Sequence, residues 1–244
     1  PICTATDIGG TVSNVENANG GSDNDSLSGD AANNILTGGP GDDDLTGRAG
    51  DDTYIFADGW GSDTINENTA EGLDTLDFSA VTFSLTGDIN AAITISGSGN
   101  QAVHNGNHIE VVIGGSAADT FTITGARPVS LLGSGDDDVF IFNDTATLTN
   151  GARIDGGAGS DTLDYRTYTD PRSWVLTGLG TVDGFMGTEA SIAGGFDNID
   201  VIWAKARTAP DNGTDSLTGL DAAATWNINV GGLQYTHHYP SLSP

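Results

Sequence analysis

The sequence predicts an all-β chain in which short parallel strands stack as the coils of a solenoid. The first observation is a nine-residue phrase that occurs four times in succession between Gly20 and Ile55. The second is a strong excess of aspartate in that stretch. The third is a large apolar residue at one fixed place in each phrase: Leu27, Leu36, Leu45 and Tyr54. A short fixed period is typical of solenoids, whose units bury a core only when they are stacked.

Each phrase combines a glycine-rich turn with a short strand. The third copy reads Gly38-Gly-Pro-Gly-Asp-Asp-Asp-Leu-Thr46, and the copies share the pattern G-G-x-G-x-D-x-U-x, where U is apolar. Glycine at the first, second and fourth places permits positive φ and lets neighbouring backbones approach closely. In the x-U-x tail, side chains alternate between two faces, so we expect every U residue to point into the core.

The aspartates of these turns are predicted to stack. If two phrases form one coil, Asp25 lies next to Asp43 and Asn34 next to Asp52, in two columns on opposite edges. Carboxylates at a strand spacing of about 4.7–4.9 Å repel each other unless a cation lies between them. Calcium is suited to this position because it binds carboxylates and main-chain carbonyls. The alternative is that the Gly-Asp runs are solvated loops, since both residues are common in turns.

The phrase resembles the nonapeptide of RTX (repeats-in-toxin) calcium-binding β-roll proteins. This resemblance implies a right-handed parallel β-roll or β-solenoid in which successive turns of one column share each Ca²⁺ ion. A looser resemblance connects the chain with segments of large repetitive secreted bacterial surface proteins. The candidate metal ligands are Gly20, Ser22, Asp23, Asp25, Asn34, Gly38, Pro40, Asp42, Asp43, Ala49, Asp51, Asp52, Asp63, Asp74, Asp119, Asp136, Asp137 and Asp161.

The period changes after the fourth copy. The interval from Asp43 to Asp63 and that from Asp52 to Asp74 are both longer than a pair of phrases, so slightly larger coils are expected. Residues 78–112 lack the glycine phrase. Alternating patterns there predict strands at 81–85, 92–96 and 109–113, either as wider coils or as a small inserted sheet.

The phrase returns over residues 114–165. Copies begin at Gly114, Gly133 and Gly156, and the interval from Asp119 to Asp137 again equals a pair of phrases. Weaker echoes place Asp197 and Asp215 before apolar residues.

A longer echo indicates two related halves. Residues 74–78 and 161–165 share an Asp-Thr-Leu-Asp-aromatic segment, which predicts halves at 1–112 and 113–244. The first half contains the phrases of 20–77 and the strand region 78–112. The second contains the phrases of 114–165 and degenerate, aromatic-rich coils with a cap over 166–244. Residues 1–19, with Ile8, Val12 and Val15, are predicted to form a degenerate first coil or an arm that pairs with another subunit.

Composition supports cation binding. The 244 residues include 34 acidic and 7 basic ones, for a net charge of −27, and all but five of the acidic residues are aspartate. Self-repulsion of this size opposes a compact state, so we expect folding to depend on bound calcium. Nucleic acids and anionic membranes are poor partners for such a surface.

The RTX resemblance also implies an extracellular location. Cys3 is the only cysteine, so no internal disulfide can form, and no apolar run is long enough to span a membrane. No signal peptide is visible and the chain starts at Pro1, which suggests a processed product or an excerpt. The RTX resemblance implies type I secretion through an uncleaved C-terminal signal, although residues 241–244 show no clear one.

No catalytic residue is predicted. The nearest approach to H-E-x-x-H is His104 and His108 followed by Glu110, in the wrong order, and no G-x-S-x-G is present. The adjacent His237 and His238 would point to opposite faces of a strand and are a weak metal candidate.

These patterns favour a secreted, calcium-binding structural module of a surface adhesin, matrix fibre or self-assembling filament. Homo-oligomerisation through the solenoid ends is expected, with glycans or a cell surface as further partners. One alternative is a polysaccharide-active enzyme, although the seven basic residues are scattered in sequence. Another is a carbohydrate-binding module, which depends on the aromatic residues Tyr165, Tyr168, Trp174, Phe185, Phe196, Trp203, Trp226, Tyr235 and Tyr239.

Overall fold

The computed structural model describes residues 2–4, 11–68, 72–205, 215–219, 226–229 and 232–235. All regular structure in this part of the chain is β, which confirms the predicted all-β class. Because the described residues form no helix, none of them forms a helix that could cross a membrane.

Two long sheets and one hairpin contain all of these strands. The first sheet comprises β1 (Ile2–Thr4), β3 (Asn17–Asn19), β5 (Ile35–Thr37), β7 (Thr53–Ala57), β9 (Thr75–Ala80), β13 (Val111–Ile113), β15 (Ala126–Arg127), β16 (Ser130–Gly135), β18 (Thr147–Leu148), β19 (Ile154–Ala158), β21 (Ser173–Leu179), β22 (Phe185–Glu189), β23 (Ile192–Ile199) and β25 (Ser216–Thr218). The second comprises β2 (Thr11–Val15), β4 (Ser26–Gly29), β6 (Asp44–Thr46), β8 (Ser62–Asn66), β10 (Thr86–Ile89), β11 (Ala92–Gly97), β12 (Asn100–Asn105), β14 (Thr120–Ile123), β17 (Val139–Phe142), β20 (Thr162–Asp164) and β24 (Val201–Trp203). The hairpin pairs β26 (Trp226–Asn229) with β27 (Gly232–Tyr235).

Over the repeats the chain passes alternately from one sheet to the other, and neighbouring strands are parallel. In the second sheet Leu27 lies opposite Leu45, which is the predicted step of two phrases per coil. The next steps are longer, since Asp44 lies opposite Thr64 and Thr53 opposite Thr75. The predicted larger coils are therefore confirmed.

The core lies between the two sheets and consists of the inward-facing side chains. Leu27, Leu36, Leu45 and Tyr54 are all buried, as the phrase predicts. Aromatic rings stack from coil to coil, with centroids 4.4 Å apart for Phe56 and Phe78. In the larger coil, Trp60 fills the extra space and packs edge-on to Phe78 at 5.4 Å. Burial on this scale requires stacked coils, because one phrase alone covers almost no apolar surface.

The region 78–112 differs from the prediction in one strand. Residues 81–85 are not a strand but the corner between the sheets, where the Val81 N–H donates to the Phe78 carbonyl at 2.8 Å. Val81 and Leu85 are both buried, so their apolar character reflects packing of the corner and not strand alternation. The following strands β10, β11 and β12 form an antiparallel meander inside the second sheet, between β8 and β14. This arrangement matches the inserted-sheet alternative.

A second antiparallel meander, β21–β22–β23, extends the first sheet and has no counterpart in the predicted coils. The sheets also cross the predicted boundary at 112/113, because β13 pairs with both β9 and β16. The echoed segments precede different sheets: Asp74 leads into β9 and Asp161 into β20. The division into two halves stays a prediction.

At the N-terminus, β1 runs parallel to β3 and β2 parallel to β4. The backbone therefore forms a first coil on the repeats. Ile8 and the Val12 side chain lie outside the described residues.

Candidate metal sites

Two edges connect the sheets, and each carries a column of acidic or amide side chains. The first column lies where the chain passes from the first sheet to the second. The second column lies where it returns. In both columns the sixth residue of each phrase is buried at or just before the start of a strand. Its backbone there already takes part in the hydrogen bonds between neighbouring strands.

The first column begins with Asp25, Asp43 and Asp63. The N–H of Asp25 donates to Asp43 Oδ1 at 2.8 Å, and the N–H of Asp43 donates to Asp63 Oδ1 at 3.0 Å. Each carboxylate thus binds the backbone of the preceding coil. The predicted neighbours along this edge are confirmed.

The second column contains Asn34, Asp52 and Asp74, as predicted, and continues to Glu110. The N–H of Asn34 donates to Asp52 Oδ1 at 2.6 Å, and that of Asp52 to Asp74 Oδ1 at 2.9 Å. The N–H of Asp74 donates to Glu110 Oε2 at 2.8 Å. Glu110 was not among the predicted ligands because its coil lacks the glycine phrase.

Beyond the first meander, the first column resumes with Asp119, Asp138 and Asp161. The N–H of Asp119 donates to Asp138 Oδ1 at 2.7 Å, and that of Asp138 to Asp161 Oδ1 at 2.8 Å. The predicted pairing of Asp119 with Asp137 is wrong, since the coil is one residue longer. Asp137 is exposed and accepts the N–H of Ser160 at 2.8 Å.

In several first-column carboxylates one oxygen accepts no hydrogen bond from the described residues, whereas Asp119 Oδ2 accepts the N–H of Gly115 at 2.7 Å. The Oδ2 atoms of Asp43, Asp63, Asp138 and Asp161 are buried and accept no hydrogen bond from the described residues. Burial, together with neighbouring carboxylates, raises the pKa of Asp63 to about 8 and that of Asp138 to about 8. An ionised carboxylate in this position is costly unless a cation accompanies it. The unsatisfied oxygens therefore suit a hard divalent ion.

The first glycine of each phrase lets that oxygen pack directly against its backbone. A Cβ at Gly133 would lie 1.9 Å from Asp138 Oδ2 and 2.5 Å from the main-chain oxygen of Gly156 in the next coil. A Cβ at Gly38 would lie 2.1 Å from Asp43 Oδ2. Oxygens from two successive coils thus meet beside the glycine, where a side chain would displace them. Calcium bound by these oxygens would neutralise the buried carboxylates.

Several predicted ligands lie away from the buried column carboxylates: Ser22, Asp23, Pro40, Asp42, Asp51 and Asp136 are exposed, and Ala49 is half-buried. Gly20 and Gly38, in contrast, are buried against the first column. Asp42 Oδ1 accepts the N–H of Ser62 at 3.2 Å, and Asp51 Oδ1 that of Leu73 at 2.9 Å. These outer carboxylates stabilise successive turns. Their role as calcium ligands stays a prediction.

Glu67 adds a carboxylate that the phrase does not contain. Oxygens of Asp52, Glu67 and Asp74 lie within 4.8 Å of one another, and all three residues are buried. Tyr54 holds Glu67 in place, because its hydroxyl donates to Glu67 Oε1 and accepts the N–H of Gly47 at 2.7 Å. Glu67 follows the end of β8, where periodicity gave no signal for it.

Of the two weak echoes of the phrase, at Asp197 and Asp215, the structure contradicts the first and supports the second. Asp197 is not in the first column; Asp200 is, and its Oδ2 accepts the N–H of Asp161 at 3.2 Å. Asp215 Oδ1 accepts the N–H of Arg172 at 2.8 Å, just before β21. Asp215 therefore makes the same contact to a neighbouring strand as the column residues.

The histidines noted in the sequence do not form a protease site. His104 is buried, its Nδ1 lies 3.2 Å from the Ile65 carbonyl, and burial lowers its pKa. Its ring is 5.5 Å from that of His108, while Glu110 belongs to the second column. His237, His238 and residues 241–244 lie outside the described residues.

Most aromatic residues after position 164 belong to the core. The buried members are Tyr165, Tyr168, Trp174, Phe185 and Phe196. The Arg166 guanidinium lies 4.0 Å from the Trp203 ring and covers it. Tyr239 lies outside the described residues, as do the side chains of Trp226 and Tyr235.

Fold and site together define a parallel β-solenoid whose turns hold rows of buried carboxylates, which is the architecture of a calcium-binding β-roll. In agreement, residues 19–54 and 153–165 match the RTX calcium-binding nonapeptide repeat, in four copies. RTX repeats bind calcium, and the predicted resemblance is confirmed. Such repeats are typically calcium-binding and structural, and the proteins that carry them are typically secreted by bacteria. No curated protein matches the chain.

Proposed function

We propose that the chain is a secreted structural module that folds when it binds calcium, and that it serves in a surface adhesin, matrix fibre or self-assembling filament. The observation that carries this proposal is the double use of column carboxylates such as those of Asp43 and Asp138. One oxygen of each binds the adjacent coil, and the other is buried without a hydrogen bond among the described residues. Without a cation, the folded state keeps the cost of burying each such unsatisfied oxygen.

The net charge also makes folding depend on bound calcium. A chain with a net charge of −27 opposes its own compaction, and divalent ions bound in rows reduce that repulsion. Because the site forms only in the folded state, the binding free energy of calcium contributes to folding. Scarce cytosolic calcium would keep the chain unfolded until export, and abundant extracellular calcium would fold it.

Assembly is supported by the N-terminal end of the solenoid. Among the described strands, β1 pairs only with β3 and β2 only with β4. Open edges accept strands from another chain, and a second copy is a suitable donor. Light scattering in millimolar calcium tests this, and strictly monomeric protein at high concentration would contradict it.

Refolding tests the proposal as a whole. We expect the chain to show a weak β signal by circular dichroism in excess chelator and a strong one after calcium is added, with magnesium far less effective. An unchanged β signal and melting temperature in excess chelator would contradict the proposal.

The enzyme and glycan alternatives have distinct tests. The five buried aromatic side chains are accounted for by packing, which leaves the carbohydrate-binding alternative to Trp203 and to residues outside the description. A glycan array tests that alternative. Turnover in a screen of acidic polysaccharides would favour an enzyme.

A further inference from the structure

The C-terminal end of the first column contains a carboxylate that comes from outside the repeats. Oxygens of Asp161, Asp183 and Asp200 lie within 4.8 Å of one another. Asp161 is the sixth residue of the phrase at 156–164, and Asp200 takes the column position in the following coil. Asp183 belongs to neither coil, because it lies in the turn between β21 and β22.

The hairpin turn is fixed against the column by several hydrogen bonds. Asp183 Oδ2 accepts the N–H of Gly159 at 3.2 Å, within the glycine-rich turn itself. Asn198 Oδ1 accepts the N–H of Val182 at 2.8 Å, and Asn198 Nδ2 donates to Asp155 Oδ1 at 2.7 Å. These contacts orient the Asp183 carboxylate towards Asp161.

Unsatisfied oxygens mark the space between these residues. Asp161 is fully buried, and its Oδ2 has no hydrogen bond among the described residues. The Oδ1 atom of Asp183 is likewise buried and without a hydrogen bond. Two carboxylate oxygens without donors, beside a third carboxylate, create a strongly negative site.

The backbone here reproduces the arrangement of the repeat turns. A Cβ at Gly156 would lie 2.4 Å from Asp161 Oδ2 and 2.1 Å from the main-chain oxygen of Asn198. At Gly133 the corresponding oxygens come from Asp138 and Gly156. Asn198 thus supplies the carbonyl that the next phrase would have provided.

We propose that Asp161, Asp183 and Asp200 form a calcium site that terminates the first column and binds the β21–β22 turn to it. The Asn198 carbonyl adds a main-chain oxygen, and hard oxygen ligands of this kind favour calcium. This inference rests on the proposed function, since it extends the same row of ions by a non-repeat ligand. Calcium at this site orders the hairpin as well as the coils.

The test is the number of calcium ions retained per chain after gel filtration, for wild type and Asp183→Asn. The asparagine keeps an acceptor for the Gly159 N–H but removes the charge. We expect Asp183→Asn to retain one ion fewer, and calcium to lose its protection of backbone amides 180–184 against hydrogen exchange. An unchanged ion count with unchanged protection would overturn the inference.

Asp197→Asn is the matched control. Asp197 also holds this hairpin, because its Oδ1 accepts the N–H of Thr181 at 3.1 Å, yet it is not in the carboxylate cluster. It should retain the wild-type number of ions; loss of the same ion would overturn the assignment to Asp183. If the wild type binds no calcium at all, the proposed function fails. If it binds calcium and Asp183→Asn equals it, only this inference fails.

Discussion

Asp43 divides its carboxylate between two tasks: Oδ1 accepts the N–H of Asp25 at 2.8 Å, and Oδ2 is buried without a hydrogen bond. The first contact aligns adjacent coils, and the second atom packs against the first glycine of the phrase, where a Cβ would displace it. One side chain thus serves both the fold and the ion site.

Asp43→Asn should have opposite effects with and without calcium. In calcium, loss of a charged ligand should lower the free energy of unfolding by roughly 1–3 kcal/mol. In calcium-free buffer, the variant should be more stable than wild type, because it removes a buried charge. Urea unfolding in calcium measures the first effect, and the β signal by circular dichroism in calcium-free buffer measures the second.

Asp44→Asn is the control, because Asp44 is exposed on β6 and its Oδ1 accepts a bond from Asn66 Nδ2. It should be close to wild type in both buffers. Equal behaviour of the two variants would contradict a special role for the column.

The pH dependence of stability should also reverse with calcium. Burial raises the pKa of Asp63 and of Asp138 to about 8 in the folded chain. Between about pH 4 and pH 8 the calcium-free folded state therefore binds protons that the unfolded state has lost, so its stability falls as pH rises through this window. With calcium bound, protons compete with the ion, and acid should destabilise. Urea midpoints in calcium, and the circular-dichroism β signal of the calcium-free chain, each at pH 5 and pH 8, test both signs; a calcium-free chain with the stronger β signal at pH 8 would contradict this pH dependence.

Gly38→Ala tests the space beside the carboxylate. The new Cβ would lie 2.1 Å from Asp43 Oδ2, so we expect weaker calcium binding and a lower melting temperature in calcium. Gly125→Ala is a backbone control, since Gly125 has φ of +78° and no atom within 4 Å of its Cβ position. Gly125→Ala should lower the free energy of unfolding by only about 1 kcal/mol and leave calcium affinity unchanged. Calorimetric titration compares the two, and equal affinities would argue against an ion beside Gly38.

Phe142→Ala tests the stacked core. Phe142 is buried, and its ring lies 4.6 Å from that of Tyr165 in the next coil. We expect the free energy of unfolding to fall by about 3–5 kcal/mol, because removal of a large buried ring leaves a cavity. Leu179→Ala removes a side chain that is 54% exposed and should cost little. Similar losses for both would contradict coil-to-coil packing as the main apolar contribution.

The repeat period predicted the stacked strands of the coils and many of the column residues. Phrases of equal length place equivalent residues side by side, so the two-phrase step between Asp25 and Asp43 and the apolar positions followed from the phrase. The Asp137 assignment failed because the coil is one residue longer, although Asp138-Val-Phe140 keeps the aspartate two places before a buried residue.

The same local pattern could have revealed two further column residues. Glu110 precedes buried Val112 by two places, and Asp200 precedes buried Ile202 in the same way. Both residues follow an inserted meander. The meander changes the number of residues between successive column positions, but the acidic residue still stands two places before a buried apolar one. Asp183 also precedes a buried residue, Phe185, by two places, but it lies in a hairpin turn outside the coils, so the pattern alone could not place it at the column. Glu67 carries no such signal, since its position depends on how a strand end folds back onto the edge.

Anomalous diffraction from crystals grown in calcium tests the central claim most directly. The account predicts Ca²⁺ ions in rows along both edges, each bound to an Oδ2 atom of a column aspartate such as Asp43 or Asp138. Calcium bound only elsewhere, with water alone beside these oxygens, would contradict it.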